Sequence, residues 1–164
     1  MQKADNSPVK WLTTIFFVTA VLVVVADQLS KLWIRSNLLL GQSLFEVGIF
    51  RFTYVQNTGA AFGIFRGYSS VLTIVALVGV AAILFYTLFL HPRLPLMDSK
   101  LSRIALGLIL GGTIGNVIDR LHLGYVTDFI DIGIWPTFNL ADSSVVVGVI
   151  LFAYVLLPLA RVDK

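Results

Sequence analysis

Residues 68–90 read YSSVLTIVALVGVAAILFYTLFL, a run of 23 residues without a charge. Wound as a helix, this run is roughly 35 Å long, enough to cross the ~30 Å hydrocarbon core of a bilayer. It is the plainest membrane span in the chain, and His91-Pro92-Arg93 stops it. On its amino-terminal side, WLTTIFFVTAVLVVVA is uncharged from Trp11 to Ala26 and continues in helical register through Asp27, Lys31 and Arg35. The long stems of Lys31 and Arg35 can snorkel, which gives a first span of about residues 11–33. Lys3 and Lys10 resemble the basic start of a cleaved signal peptide, but no small-x-small site follows the run.

The carboxy-terminal half supplies two more spans. Residues 104–120 are short, rich in glycine and polar at the end, GGTIGNVIDR, and the side from Gly112 to Asn116 lets another helix approach closely. Residues 142–160 open at Asp142-Ser143-Ser144 and run through VVVGVILFAYVLLPLA. Between the spans, residues 38–67 and 121–141 are extramembrane. Within them, residues 41–66 mix β-branched and aromatic side chains with polar ones, which predicts short strands followed by a glycine-containing turn. Residues 122–140 are similar, interrupted by Gly133 and Pro136. The expected fold is an all-α polytopic membrane protein of one domain, with four transmembrane helices and a small β-rich extracytoplasmic cradle.

Composition agrees. Of 164 residues, 57% are hydrophobic and 13% charged, about half the charged share of an ordinary soluble domain. Mean hydropathy is +0.90. There is no cysteine, which excludes disulfides, thiolate metal sites and a cysteine nucleophile. His91 and His122 have no partner at metal-ligand spacing, so no metal and no cofactor is expected. The net charge of +3 fits cationic cytoplasmic loops rather than nucleic-acid binding.

An even number of spans places both termini on one side. With the amino terminus inside, Lys3, Lys10, Arg93, Lys100, Arg103, Arg161 and Lys164 are cytoplasmic, against Lys31, Arg35, Arg51, Arg66 and Arg120 outside. That bias orients both termini to the cytoplasm. The acids are more lopsided: Asp27, Glu46, Asp119, Asp128, Asp131 and Asp142 fall at the outer end, Asp5, Asp98 and Asp163 inside. Ionisable groups at membrane depth are costly and mark function by default.

Each polar residue also has a structural explanation. Asp27 and Lys31 stand at i,i+4, the spacing of an ion pair. Asn116 and Arg120 share that spacing, which suggests that Arg120 braces the third helix, and Asp119 suits a structural hydrogen bond. Asp142, before two serines and an apolar run, reads as an N-cap. Asp128 lies among apolar neighbours in VTDFI, where a lone acid has less structural reason to be. Pairing Asp128 with Asp142 gives two carboxyls sharing one proton, an arrangement that hydrolyses a peptide bond without metal or covalent nucleophile. Asp27, Asp119 and Asp131 remain rivals. A proton- or ion-coupled carrier is the other class, but its acids belong near the midplane of repeated halves. A metal-dependent head-group transferase using Asp128 and Asp131 is a third.

Five motifs resemble the bacterial lipoprotein signal peptidases: DQLSK with Asp27 and Lys31, NTGAAF from Asn57 to Phe62, GGTIGNVIDR from Gly111 to Arg120, VTDFI with Asp128, and FNLADS with Asp142. Residues 1–10 and 161–164 carry none of this signal. The resemblance implies an aspartyl endopeptidase with Asp128 and Asp142 as catalytic pair. Asn57, Gly112, Asn116, Arg120 and Asn139 would shape the site and contact substrate, with Asp27, Lys31 and Asp119 as structural polar residues. It further implies lipid-modified prolipoproteins as substrates, cut just before the diacylglyceryl-cysteine at the outer face of the bacterial plasma membrane. Contact with membrane lipids, inhibition by globomycin-type cyclic peptides and a monomeric state are expected with it.

Overall fold

A computed structural model describes residues 7–59, 68–90 and 99–157. Among these residues four helices and three strands follow in the order α1 Ser7–Asn37, β1 Ser43–Val47, β2 Phe50–Asn57, α2 Ser69–Phe85, α3 Lys100–Leu123, β3 Val126–Asp131 and α4 Leu140–Leu156. A π-helical turn, Tyr86–Leu90, extends α2. The stop at His91-Pro92-Arg93, the NTGAAF turn from Ala60 onward and the end of the 142–160 span lie outside the described residues. So do Lys3, Asp5, Arg66, Asp98, Arg161, Asp163 and Lys164.

Three helical stretches, Lys10–Asn37, Ser69–Leu90 and Lys100–Leu123, are long and apolar enough to cross a membrane, and Leu140–Leu156 is a shorter apolar helix. Their outward faces carry bare hydrophobic side chains, among them Val21, Leu22, Ile74, Val78, Phe89 and Ile150. Such a surface suits lipid, since water would leave it exposed at large cost.

α3 is the central helix and packs against α1, α4 and α2. Its glycines make the packing possible. A Cβ at Gly107 would stand 2.7 Å from the Phe16 carbonyl, one at Gly111 2.6 Å from that of Ala20, and one at Gly115 2.5 Å from the Asp27 carboxylate. This four-residue rhythm forms the seam with α1. Gly112 faces the other way, where a Cβ would collide with the Ala141 carbonyl of α4. The close approach expected from Gly112 is therefore a helix–helix contact. Gly112→Ala should force α4 outward at an overpacking cost of about 1–3 kcal/mol, read as a lower Tm in detergent.

Lys100 at the start of α3 lies 4.8 Å from the Trp11 ring at the start of α1, so the two helices run the same way. At the opposite end Gly124, with φ of 80°, terminates α3 in a left-handed turn and sends the chain into β3. The strands form an antiparallel sheet in the order β1-β2-β3. Ile34 of α1 and Leu38 just after it pack with Tyr54 of β2 and Phe129 of β3, fastening the sheet to the helix end. The strands expected within residues 41–66 are β1 and β2; the stretch 122–140 contributes β3, with Phe138 bridging back to Ile130.

Candidate functional site

In the sheet, Val55 of β2 lies opposite Asp128 of β3. Alternation along the strands puts Val55, Asn57, Val126 and Asp128 on one face. That face closes one side of a cavity of about 1160 Å³. Thr113, Asn116 and Arg120 of α3, Asp142 and Val145–Val147 of α4, and Ala76 of α2 form other walls. Asp128 and Asp142 thus meet at one cavity, although 14 positions and a change of element separate them.

One side chain joins them. Asn139, fully buried, donates from Nδ2 to Asp128 Oδ1 at 2.7 Å, and its Oδ1 accepts the Asp142 backbone N–H at 2.8 Å. Its own backbone N–H donates to Asp142 Oδ2 at 3.3 Å, completing a capping box at the start of α4. The N-cap is therefore Asn139, and Asp142 occupies the third helical position rather than the cap the sequence suggested. The FNLAD run lets Asn139 take the cap because its β-region backbone precedes the helix by one residue. Asn116 Nδ2 donates to Asp142 Oδ1 at 2.7 Å, and Asn57 Nδ2 donates to Asp128 Oδ2 at 2.9 Å. All four carboxyl oxygens thus face N–H donors. Burial pushes the Asp128 carboxyl up to about 7; nearby Asp142 adds to the rise, while Asn57, Asn139 and Lys31 oppose it.

The rival acids are engaged elsewhere. Asp27 and Lys31, both fully buried, form the i,i+4 ion pair at 2.8 Å, and Asp27 Oδ1 also accepts the Ala141 N–H. Asp119 Oδ2 accepts the Thr127 backbone N–H at 2.8 Å, the structural bond expected of it, and stands 3.4 Å from Lys31. Asp131 pairs with Arg51 across the sheet at 2.6 Å. The Gly133 amide and the Arg51 guanidinium hold its carboxyl below the usual range.

Arg120 does not pair with Asn116. It reaches to the Gly59 carbonyl at 3.5 Å, and among the described residues its buried Nε has no partner. Asn116 is bonded instead to Lys31, Asp142 and Asn139. Two residues escaped the sequence reading. Gln28 Nε2 bridges Asp27, the Gly115 carbonyl and Asp119. Arg35 Nη1 donates to Thr127 Oγ1 at 2.9 Å. The signal for Arg35 was present: Asp27, Lys31 and Arg35 recur every four residues, a polar stripe that needs partners on another element.

Comparison with known proteins points the same way. A family model described as signal peptidase (SPase) II matches residues 19–158. A lipoprotein signal peptidase of Dehalococcoides mccartyi (strain CBDB1) is 50% identical over 136 residues, covering 83% of this chain and 84% of that one. One from Moorella thermoacetica is 46% identical over 143 residues, covering 87% and 92%. A solved structure described as a bacterial membrane enzyme determined by the in meso method at 2.3 Å superposes with a TM-score of 0.80 at 31% identity, over 91% of both chains. With the matched region holding all of α3 and both cavity aspartates, the chain belongs to the signal peptidase II family of membrane proteases.

Proposed function

We propose that this chain removes signal peptides from diacylglyceryl-modified prolipoproteins, cutting just before the lipid-modified cysteine, with Asp128 and Asp142 as its catalytic dyad. The observation that carries the reading is Asn139, which bonds both carboxyls at the wall of a single large cavity. One carboxyl holds the shared proton. The other takes a proton from water as the water oxygen joins the scissile carbonyl carbon, and the protonated member passes its proton to the carbonyl oxygen. Collapse of the tetrahedral diol breaks the C–N bond, with a proton delivered to the leaving amine. The cavity runs from the strands down between Ala76 of α2 and Val145–Val147 of α4, leaving room for the apolar end of a signal helix. Asn57, Asn116, Arg120 and Asn139 shape this site, and the sheet forms a cradle over it. Inhibition by globomycin-type cyclic peptides and action as a monomer belong to the same reading. A gel-shift cleavage assay on a purified lipid-modified prolipoprotein tests it; an intact substrate after incubation with active-site-competent protein would remove it.

No cysteine exists and, among the described residues, no histidine lines the cavity, so the donor set suits proton transfer better than zinc. Saturating chelator should leave the cleavage rate unchanged. A loss restored by zinc or magnesium would favour a metal enzyme.

The same reading places four spans in a bacterial plasma membrane, both termini cytoplasmic and the dyad toward the outer face. A reporter fused after Lys164 should report cytoplasm, and a tag near Gly41 should be reachable from outside. A carboxy terminus found outside would require an odd number of spans.

A further inference from the structure

We propose that Lys31 is a positioning residue for the dyad: through Asn116 it makes Asp142 the ionised partner and leaves Asp128 to carry the proton. This inference rests on the dyad reading above and assigns the two roles within it. Lys31 is fully buried on α1, one helix away from the reacting groups. Its Nζ faces three acceptors: Asp27 Oδ2 at 2.8 Å, Asn116 Oδ1 at 2.8 Å and Asp119 Oδ2 at 3.4 Å.

An ammonium has donors and no acceptor, so the amide atom that faces it has to be oxygen. Asn139 Nδ2 donates to the same oxygen at 3.1 Å. With its oxygen held from two sides, Asn116 has only its NH2 left for α4, and that group donates to Asp142 Oδ1 at 2.7 Å. A donor fixed against a carboxylate favours the charged form. Asp142 gains further from the Asn139 N–H on Oδ2 and from its place in the first turn of α4, where the helix dipole favours an anion. Asp128 sits on a strand with no helix terminus behind it and is nearly fully buried. Asp128 also accepts two amide donors, from Asn139 and Asn57, so the difference lies in burial and in the helix start: the negative charge belongs on Asp142 and the proton on Asp128.

The other charges around Asp142 do not overturn this order. Arg120 of α3 interacts more with Asp142 than with Asp128 or Asp119, which favours charge on Asp142. Among the described residues α2 carries no charge, and α4 carries none besides Asp142. The field of Lys31 also reaches Asp128 and favours its charged form, as the smallest of the influences on that carboxyl; Asp27 of α1 and Asp119 of α3 offset the lysine's charge, so it acts through the orientation of Asn116 more than through its field.

The test uses the purified full chain carrying Lys31→Met together with Asp27→Asn. The pair removes one positive and one negative charge, and Asp119 keeps Arg35, Gln28 and the Thr127 amide. With a lipid-modified prolipoprotein, kcat should fall on the order of a hundredfold, the scale of a misplaced catalytic group. KM should hold, and the acidic limb of the kcat–pH profile should move to higher pH. Asp27→Asn alone should preserve both kcat and that limb. Lys31→Gln in the Asp27→Asn background retains a donor and should recover part of the rate. Adding Asn116→Ala to the Lys31→Met, Asp27→Asn protein should cost nothing further.

A wild-type kcat and pH profile in the folded double variant would overturn the proposal. So would a fall in kcat with an unmoved acidic limb and full additivity with Asn116→Ala, the pattern of a purely structural ion pair. If the double variant fails to fold, the Lys31→Gln protein decides by the same limb. Asp142→Asn is the control: if it is inactive, these outcomes judge Lys31 alone, whereas near-wild-type cleavage removes the dyad and this inference together.

Discussion

Asp128→Asn and Asp142→Asn should each reduce cleavage on the order of a thousandfold or more, the range of a lost general acid or base, with insertion and folding retained. In the proposed dyad either change removes a group that holds or exchanges the shared proton, so the double variant should lose little beyond the singles. Near-wild-type cleavage by either single variant would end the assignment. The wild-type rate should also decline as pH rises past about 7, where the Asp128 carboxyl gives up its proton. Stability carries the matching sign. A carboxyl raised from 3.8 to about 7 by burial contributes stability that is complete below the lower value and lost as pH climbs through the upper. The stability of Asp128→Asn relative to wild type should therefore improve steadily between those two pH values. Chemical denaturation of both proteins in detergent across that window measures it, and a constant difference would contradict the buried, proton-bearing role.

Asn139→Ala should be nearly as damaging to catalysis, and unlike the aspartate changes it should also weaken the fold. The substitution deletes the cap of α4, at about 0.5–2 kcal/mol. It also strips Asp128 Oδ1 and Asn116 Oδ1 of one donor each inside a buried cluster. Because α4 carries Asp142 in its first turn, fraying of that turn misplaces the carboxylate. A displacement of about 1 Å costs on the order of a hundredfold in rate. Asn139→Asp separates the two effects. It keeps an oxygen for the Asp142 N–H and so preserves the cap, but it faces Asp128 with a third carboxyl and should be inactive. A thermal melt and the cleavage assay on both variants are sufficient. An Asn139→Ala protein with an unchanged rate would show that the bridge does not organise the dyad.

The helices were legible in the sequence because lipid imposes a simple requirement, long runs without charge, and 68–90 meets it without ambiguity. The strands were legible from β-branched and aromatic density around Phe50–Asn57. Gly112 was identified as a close-approach residue, but Gly107 of α3 and Gly148 of α4, each within 2.8 Å of a facing backbone carbonyl by any added Cβ, attracted no notice within apolar runs. The convergence of the polar residues at one end of the helices was legible, and their wiring was obscure. Asp27 and Lys31 pair locally, so spacing sufficed. Asn116 and Arg120 have the same spacing, yet their bonds go to Lys31, Asp142 and Gly59 on other elements, and a one-dimensional pattern holds no information about those partners. The N-cap was displaced by one helical turn for a similar reason: Asn139 and Asp142 both suit helix starts, and only the backbone at 139 distinguishes cap from third position.

The packing of α2 bears on which parts of this chain are free to diverge. Within its most apolar window only 11% of residues are buried, against 61% for α3. Among the described residues of α2 and its π-helical turn, the buried ones are two threonines, Thr73 and Thr87. A random apolar exchange on this helix meets lipid, which accepts Leu, Ile, Val and Phe on similar terms. On α3 the same exchange meets a backbone carbonyl. Sequence drift should therefore accumulate along α2 while the central α3 stays nearly fixed, and a library of random variants should sort into tolerant and intolerant positions by helix before it sorts by distance from the cavity.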